Sequence, residues 1–187
     1  MKKLFGIMAV LFIASSADVF AQEYKVGDTG PAGGLIFFDK GALTNGWRYL
    51  EAAPVDEVNE SVFSNVYEEI GTTKTGIGEG KANTKAIISQ AGHKESAAKL
   101  CDDLEVTYNG KSFNDYFLPS KDELNLMHKN LYSSDKGNFS RDYYWCSSEG
   151  GFSYAWAQDF ANGHSYDGAQ YYDYKNFSSA VRCARAF

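Results

Sequence analysis

Few residues of this chain have types and spacing that could do chemistry. Its 187 residues include three cysteines, Cys101, Cys146 and Cys183, and three histidines, His93, His128 and His164. A cysteine nucleophile needs a thiolate with a base beside it, which makes Cys146 in "YWCSSE" the candidate; the plain alternative is a buried spare thiol on a strand. Ser147 and Ser148 lack the G-x-S-x-G elbow, and no acid–histidine partner is indicated for them. The histidines show neither HExxH nor HxH spacing, and no two cysteines have the separation of a zinc knuckle or a redox motif. Calcium wants several converging oxygens; Asp159, Asp167 and Asp173 could offer some, but carboxylates scattered on hairpins read as solvated. The chain is therefore expected not to be an enzyme and to carry no cofactor and no metal.

Recognition is the better expectation. Residues 141–187 hold 13 of the 29 aromatic side chains, seven of them tyrosine, mixed with Ser, Gly, Asn and Asp. Tyrosine offers broad amphipathic contact at small entropic cost, while the small polar residues adapt their hydrogen bonds. The candidate ligand contacts are Tyr166, Asp167, Tyr171, Tyr172, Asp173, Tyr174 and Asn176, from "SYDGAQYYDYKN".

Elements must position these residues. Ser120 followed by Glu123, with Leu124, Met127, His128 and Leu131 at helical spacing, predicts a helix over 120–131 that starts with a capping box. Short helices are expected over 83–90 and 93–104, the second placing Ala97, Cys101 and Leu104 on one stripe, so that Cys101 faces the core. The runs "GGLIFF" and "WRYLEAA" read as an opening β unit, and residues 54–80 as a long surface loop. The glycines at 27, 30, 33 and 34 mark turns rather than a phosphate loop, because no GK[ST] ending follows. After residue 143 short aromatic strands take over: "YYWCSSE", "SYAWAQDF", "HSYDGAQYYDY" and "SAVRCARAF". Asn162-Gly163 signals a tight hairpin turn between the second and third. Alternation in "SYAWAQDF" sends Tyr154, Trp156, Gln158 and Phe160 to one face, expected to be the core.

Composition sets the compartment. Residues 1–21 carry Lys2 and Lys3, an apolar run over 4–14, and Val19 and Ala21 at the positions a signal peptidase reads, which predicts an export signal cleaved before Gln22. Residues 22–187 suit a single domain. No later stretch reaches the roughly 18 apolar residues of a membrane helix. Without Lys2, Lys3 and Asp18, the 18 basic and 24 acidic side chains become 16 and 23, a formal charge of −7, which excludes nucleic acid and other polyanions as partners. In an oxidising compartment three cysteines make one disulfide and one free thiol, with three pairings open.

The runs "GGLIFFDKG", "GWRYLEAAP", "GIGEGKANTKAII", "SAAKLCDDL", "YFLPSKDELNLM", "YYWCSSE" and "AVRCARAF", in this order, closely resemble the bacterial Lcl C-terminal-domain-like family, named for the C-terminal domain of a collagen-like adhesin. The resemblance covers residues 24–187. It implies an α+β, C-type-lectin-like fold, with two main helices on a twisted antiparallel sheet, long loops and neighbouring termini, in a secreted or surface-exposed protein. It also implies a whole-domain disulfide between Cys101 and Cys183. The implied function is ligand binding, to a glycan or a protein on another surface, with a homo-oligomer allowed and an envelope assembly component as the alternative.

Two departures limit the carry-over. A collagen-like stalk is missing, and the acidic charge disfavours heparin-like ligands. The Glu-Pro-Asn, Gln-Pro-Asp and Trp-Asn-Asp strings of calcium-dependent lectins are absent, the only prolines being Pro31, Pro54 and Pro119. Formylglycine-generating oxidases, which share the broad fold, use a close cysteine pair; here Cys146 and Cys183 stand 37 positions apart, and the pattern does not match.

Overall fold

The computed structural model describes residues 22–161 and 166–187. The expected export signal over 1–21, the Asn162-Gly163 turn and His164 lie outside the described residues.

The fold is α+β. Strands β1 (Leu35–Thr44) and β2 (Trp47–Ala52) form a hairpin at Asn45-Gly46, where both residues have positive φ (52° and 81°), the requirement of a two-residue turn whose twist matches the strands. Strand β3 (Val58–Val62) interrupts the expected long loop. Helices α1 (Gly80–Ile88) and α2 (Ala97–Asp102) follow, then a small hairpin of β4 (Val106–Tyr108) and β5 (Lys111–Phe113). Helix α3 (Lys121–Asn130) precedes β6 (Tyr143–Glu149), β7 (Tyr154–Asp159), β8 (Gln170–Tyr174), β9 (Ser178–Val181) and β10 (Ala184–Ala186). The strands make a three-stranded sheet ordered β1-β2-β10, a five-stranded sheet ordered β3-β9-β6-β7-β8, and the β4-β5 hairpin.

Three corrections to the sequence reading follow. Among the described residues there are three α-helices, the number that the spacing predicts, rather than the two main ones that the resemblance implies, and the larger sheet is not wholly antiparallel, since β6 and β9 pair in parallel. The run "SAVRCARAF" is two strands in two sheets, because the chain crosses between them at Arg182 and Cys183. The β4-β5 hairpin turns on Asn109-Gly110 (φ 49° and 74°), a signal of the same kind as Asn45-Gly46.

Alternation along β6 divides the interior. Trp145 joins Ile87, Ala97, Ala98 and the Cys101–Cys183 bridge on one side, while Tyr144 and Cys146 join Leu124, Met127 and Phe160 on the other. The disulfide ties α2 to the residue before β10 across 82 positions, and Cys146 is left as a buried free thiol.

Charge is buried at three joints. Arg182 reaches Asp56 at 2.7 Å and the carbonyls of Gly137 and Asn138 at 2.7 and 3.1 Å. Arg185 bridges Glu51 at 3.0 Å and Asp115 at 2.8 Å. Lys175, fully buried, pairs with Glu149, whose Oε2 also accepts from the amides of Ile70 and Gly71 at 2.9 and 3.1 Å. The glycine-rich turn owes its form to Glu51, which accepts from the amides of Ala32 and Gly34 at 3.1 and 2.9 Å. A Cβ at Gly34 would stand 1.8 Å from the Ala52 carbonyl oxygen, so only glycine fits there.

The capping box of α3 forms as expected and does more than cap. Ser120 Oγ accepts from Glu123 N at 3.3 Å and donates to the Gly76 carbonyl at 2.8 Å. Glu123 accepts from Ser120 N at 2.7 Å and Gly78 N at 2.8 Å, so the box also fastens the loop before α1. Ser120→Ala should lose the cap and the Gly76 bond together, about 2 kcal/mol in a denaturant melt. Removing the bridge as Cys101→Ala with Cys183→Ala should cost about 4.5 kcal/mol by loop-closure entropy, and mapping of unreduced peptides should show Cys146 unlinked.

Candidate functional site

Strand β8 is an edge of the five-stranded sheet and pairs with β7 in simple antiparallel register: Tyr154 opposite Tyr174, Trp156 opposite Tyr172, Ala157 opposite Tyr171 and Ala155 opposite Asp173. The two-residue period therefore splits the expected contact set between the sheet's two faces.

One face carries a row of rings. Tyr172 stacks on Trp156 with centroids 4.0 Å apart, Tyr174 on Tyr154 at 4.6 Å, and Phe177 meets Tyr174 edge-on at 5.5 Å. Tyr154, Tyr172, Tyr174 and Phe177 are 38, 53, 46 and 50% exposed, too much for a core row. The Lys121 ammonium sits 3.3 Å from the Trp156 ring centroid, a cation–π contact that anchors the inner end of the row on α3. The expectation that this face of β7 is core therefore holds in part, with Gln158 and Phe160 buried and Tyr154 exposed. Phe160 is buried as expected, but Trp156 is half-buried and packs on the core while carrying Tyr172. The small Ala155 and Ala157 are the buried members of β7 on the other face.

Tyr171 and Asp173 lie on that other face, both half-buried, with Tyr171 packed against the core and edge-on to Tyr143 at 5.4 Å. Tyr166 is 72% exposed in the turn before β8, and Asn176 is exposed in the turn after it. Asp167 is exposed, and its Oδ1 accepts from His128 Nε2 at 2.9 Å. This acid–histidine pair spans 39 positions, beyond the reach of any local spacing rule.

A polar ladder aims the hairpin. Lys121, Asn125 and His128 recur at i, i+4 and i+7 on α3, and each meets the β7-β8 unit. Gln170 Nε2 donates to the Lys121 carbonyl at 2.8 Å, Gln158 Nε2 to Asn125 Oδ1 at 3.1 Å, and His128 to Asp167. His128 also packs edge-on against Phe160 at 4.8 Å. Gly168 (φ +78°) lets the turn approach, since a Cβ there would stand 2.8 Å from the imidazole.

The candidate nucleophiles have structural work. Cys146 donates to the Trp156 carbonyl at 3.1 Å, and burial pushes its thiol up to about 12, so it stays protonated at neutral pH. Ser148 donates to the Lys74 carbonyl at 2.8 Å and accepts from Lys121 N at 3.0 Å, while Ser147 accepts from Asn83 Nδ2 at 3.2 Å. Among the described residues, no three His, Cys, Asp or Glu side chains are placed to hold one metal ion.

No protein-family model matches the chain, and no curated protein matches it. The site's class rests on its own geometry.

Truncating His128 tests the ladder. His128→Ala should lower stability by about 1–3 kcal/mol through the lost hydrogen bond and ring packing. Amide exchange should accelerate in β8 while β1 and β2 stay protected.

Proposed function

We propose that residues 22–187 form one exported bacterial domain of the Lcl C-terminal-domain-like kind, with a C-type-lectin-like fold, that binds a glycan or a protein on another surface. The observation that carries this reading is the row of Trp156, Tyr172, Tyr154 and Tyr174, half exposed, held in register by backbone pairing and anchored on α3 through Lys121, with Phe177 edge-on at its outer end. Such a row offers rigid apolar faces to stack on sugar rings or to enter a partner's pocket, at little entropic cost on binding.

Three further features support it. The Cys101–Cys183 bridge suits an oxidising compartment. Among the described residues no helix is long and apolar enough to cross a membrane. Tyr24, near the start of the described chain, meets the C-terminal Phe187 edge-on at 5.6 Å, the neighbouring ends that the resemblance implies.

The experiment is a glycan-array and protein-binding screen of residues 22–187, followed by titration of the best ligand against Tyr172→Ala and Tyr174→Ala. At least one substitution should weaken binding by 1 kcal/mol or more, about fivefold, with thermal melts showing both variants folded. Unchanged affinity in both would remove the ring row from the binding surface.

A further inference from the structure

A second concave site lies on the opposite face of β7 and β8. Its cavity, about 440 Å³, is lined by Tyr143, Asp159, Tyr166, Ala169, Tyr171 and Asp173. Register explains the assembly: Tyr143 pairs with Asp159 across β6 and β7, and Tyr171 and Asp173 follow on the same side of β8. Three walls are phenol rings and two are carboxylates, and no lysine or arginine lines the cavity among the described residues.

The polar groups of this cavity are incompletely used. Asp159 Oδ1 accepts from Ala161 N at 2.6 Å and Asp173 Oδ1 from Tyr174 N at 2.8 Å, and among the described residues the second oxygen of each carboxylate has no hydrogen-bond partner. The Tyr171 hydroxyl is buried and without a partner among the described residues. Burial holds the Asp173 carboxyl above the usual carboxylate range, and burial with the nearby acids Asp173, Asp159 and Asp142 raises the Tyr171 phenol.

These features select a ligand chemistry. An anion would be repelled by the two carboxylates, and a neutral sugar would leave them desolvated without compensation. A bare metal ion finds too few ligands here, and the volume exceeds what one ion fills. A compact organic cation satisfies every wall: its charge lies against Asp159 and Asp173, its carbon surface against the rings, and its charge also favours the π faces of Tyr143, Tyr166 and Tyr171.

We propose that this cavity is a binding site for an organic ammonium group, of the kind carried by quaternary amines and lysine side chains. It stands on the face away from the ring row, so it does not depend on that row's ligand.

Choline is the probe, titrated into residues 22–187 at constant ionic strength while the amide resonances of β8 are followed. The neutral isostere 3,3-dimethylbutan-1-ol serves as the control, and Nα-acetyllysine amide in a parallel arm separates a lysine source from a free quaternary amine by which of the two binds more tightly. Choline should give saturating shifts at Tyr171 and Asp173, with the neutral isostere binding at least tenfold more weakly. Asp173→Asn and Tyr143→Ala should each weaken choline at least fivefold, and the remote Leu43→Ser should leave it unchanged. Equal binding of choline and its isostere by the parent protein overturns the proposal whether or not the variants fold, as does full choline affinity in folded Asp173→Asn. Flat titrations with both choline and Nα-acetyllysine amide also overturn it while leaving the result with Tyr172→Ala and Tyr174→Ala standing, and the reverse also holds.

Discussion

The last ten residues are held by charge in a place where charge is expensive. Arg182 and Arg185 flank Cys183, both essentially buried, at the point where the chain leaves one sheet for the other. A buried guanidinium is tolerable only when each donor is answered, and here Asp56, Glu51, Asp115 and two loop carbonyls answer them. Each partner belongs to a different part of the chain, so the loop before β3, the turn at Gly137, strand β2 and the segment before α3 are all located by the same short stretch. The disulfide adds α2 to that list. Removing either arginine would strand a buried carboxylate, which costs more than the pair contributes.

Helix α3 is the second organiser, and its two ends have different tasks. Its N-terminus spends Ser120 and Glu123 on its own orphan amides and on the loop at Gly76 and Gly78. Its body presents Lys121, Asn125 and His128 to the β7-β8 hairpin through directional hydrogen bonds. A long edge hairpin rich in tyrosine would otherwise be free to slip or to recruit another strand, and polar contacts of fixed geometry pin its register where apolar packing alone would not.

That pinning gives the edge its two surfaces. Because β8 is paired on one side only, its side chains project to both faces near the sheet's rim, where burial is incomplete. Tyr172 and Tyr174 extend an apolar row outward from Trp156, whereas Tyr171 and Asp173 border an acidic, aromatic hollow. Neighbouring residues in one five-residue strand thus present different surfaces on the two faces, and the pleat is the cause.

By itself the sequence determined the features that depend on neighbours in the chain. The capping box at Ser120 and Glu123, the inward face of Cys101, the opening β unit and the alternation in "SYAWAQDF" follow from local dihedral preference and side-chain spacing, which a short window contains. How far each face of that alternation is buried was not local: Ala155 and Ala157 are fully covered because Trp145 packs on their side, whereas Trp156, on the face of Phe160, packs on the core near the sheet's rim and carries Lys121 and Tyr172. The residues alone left three cysteine pairings open, and the tertiary structure joined Cys101 to Cys183, as the family resemblance implied. The partner of Asp167, the parallel pairing of β9 with β6, and the cavity between Tyr143 and Asp173 join residues 30 or more positions apart. Contacts of that range carry no periodic signature, since their formation depends on the whole chain's packing and on which buried charges must be answered, and only the folded structure decides them.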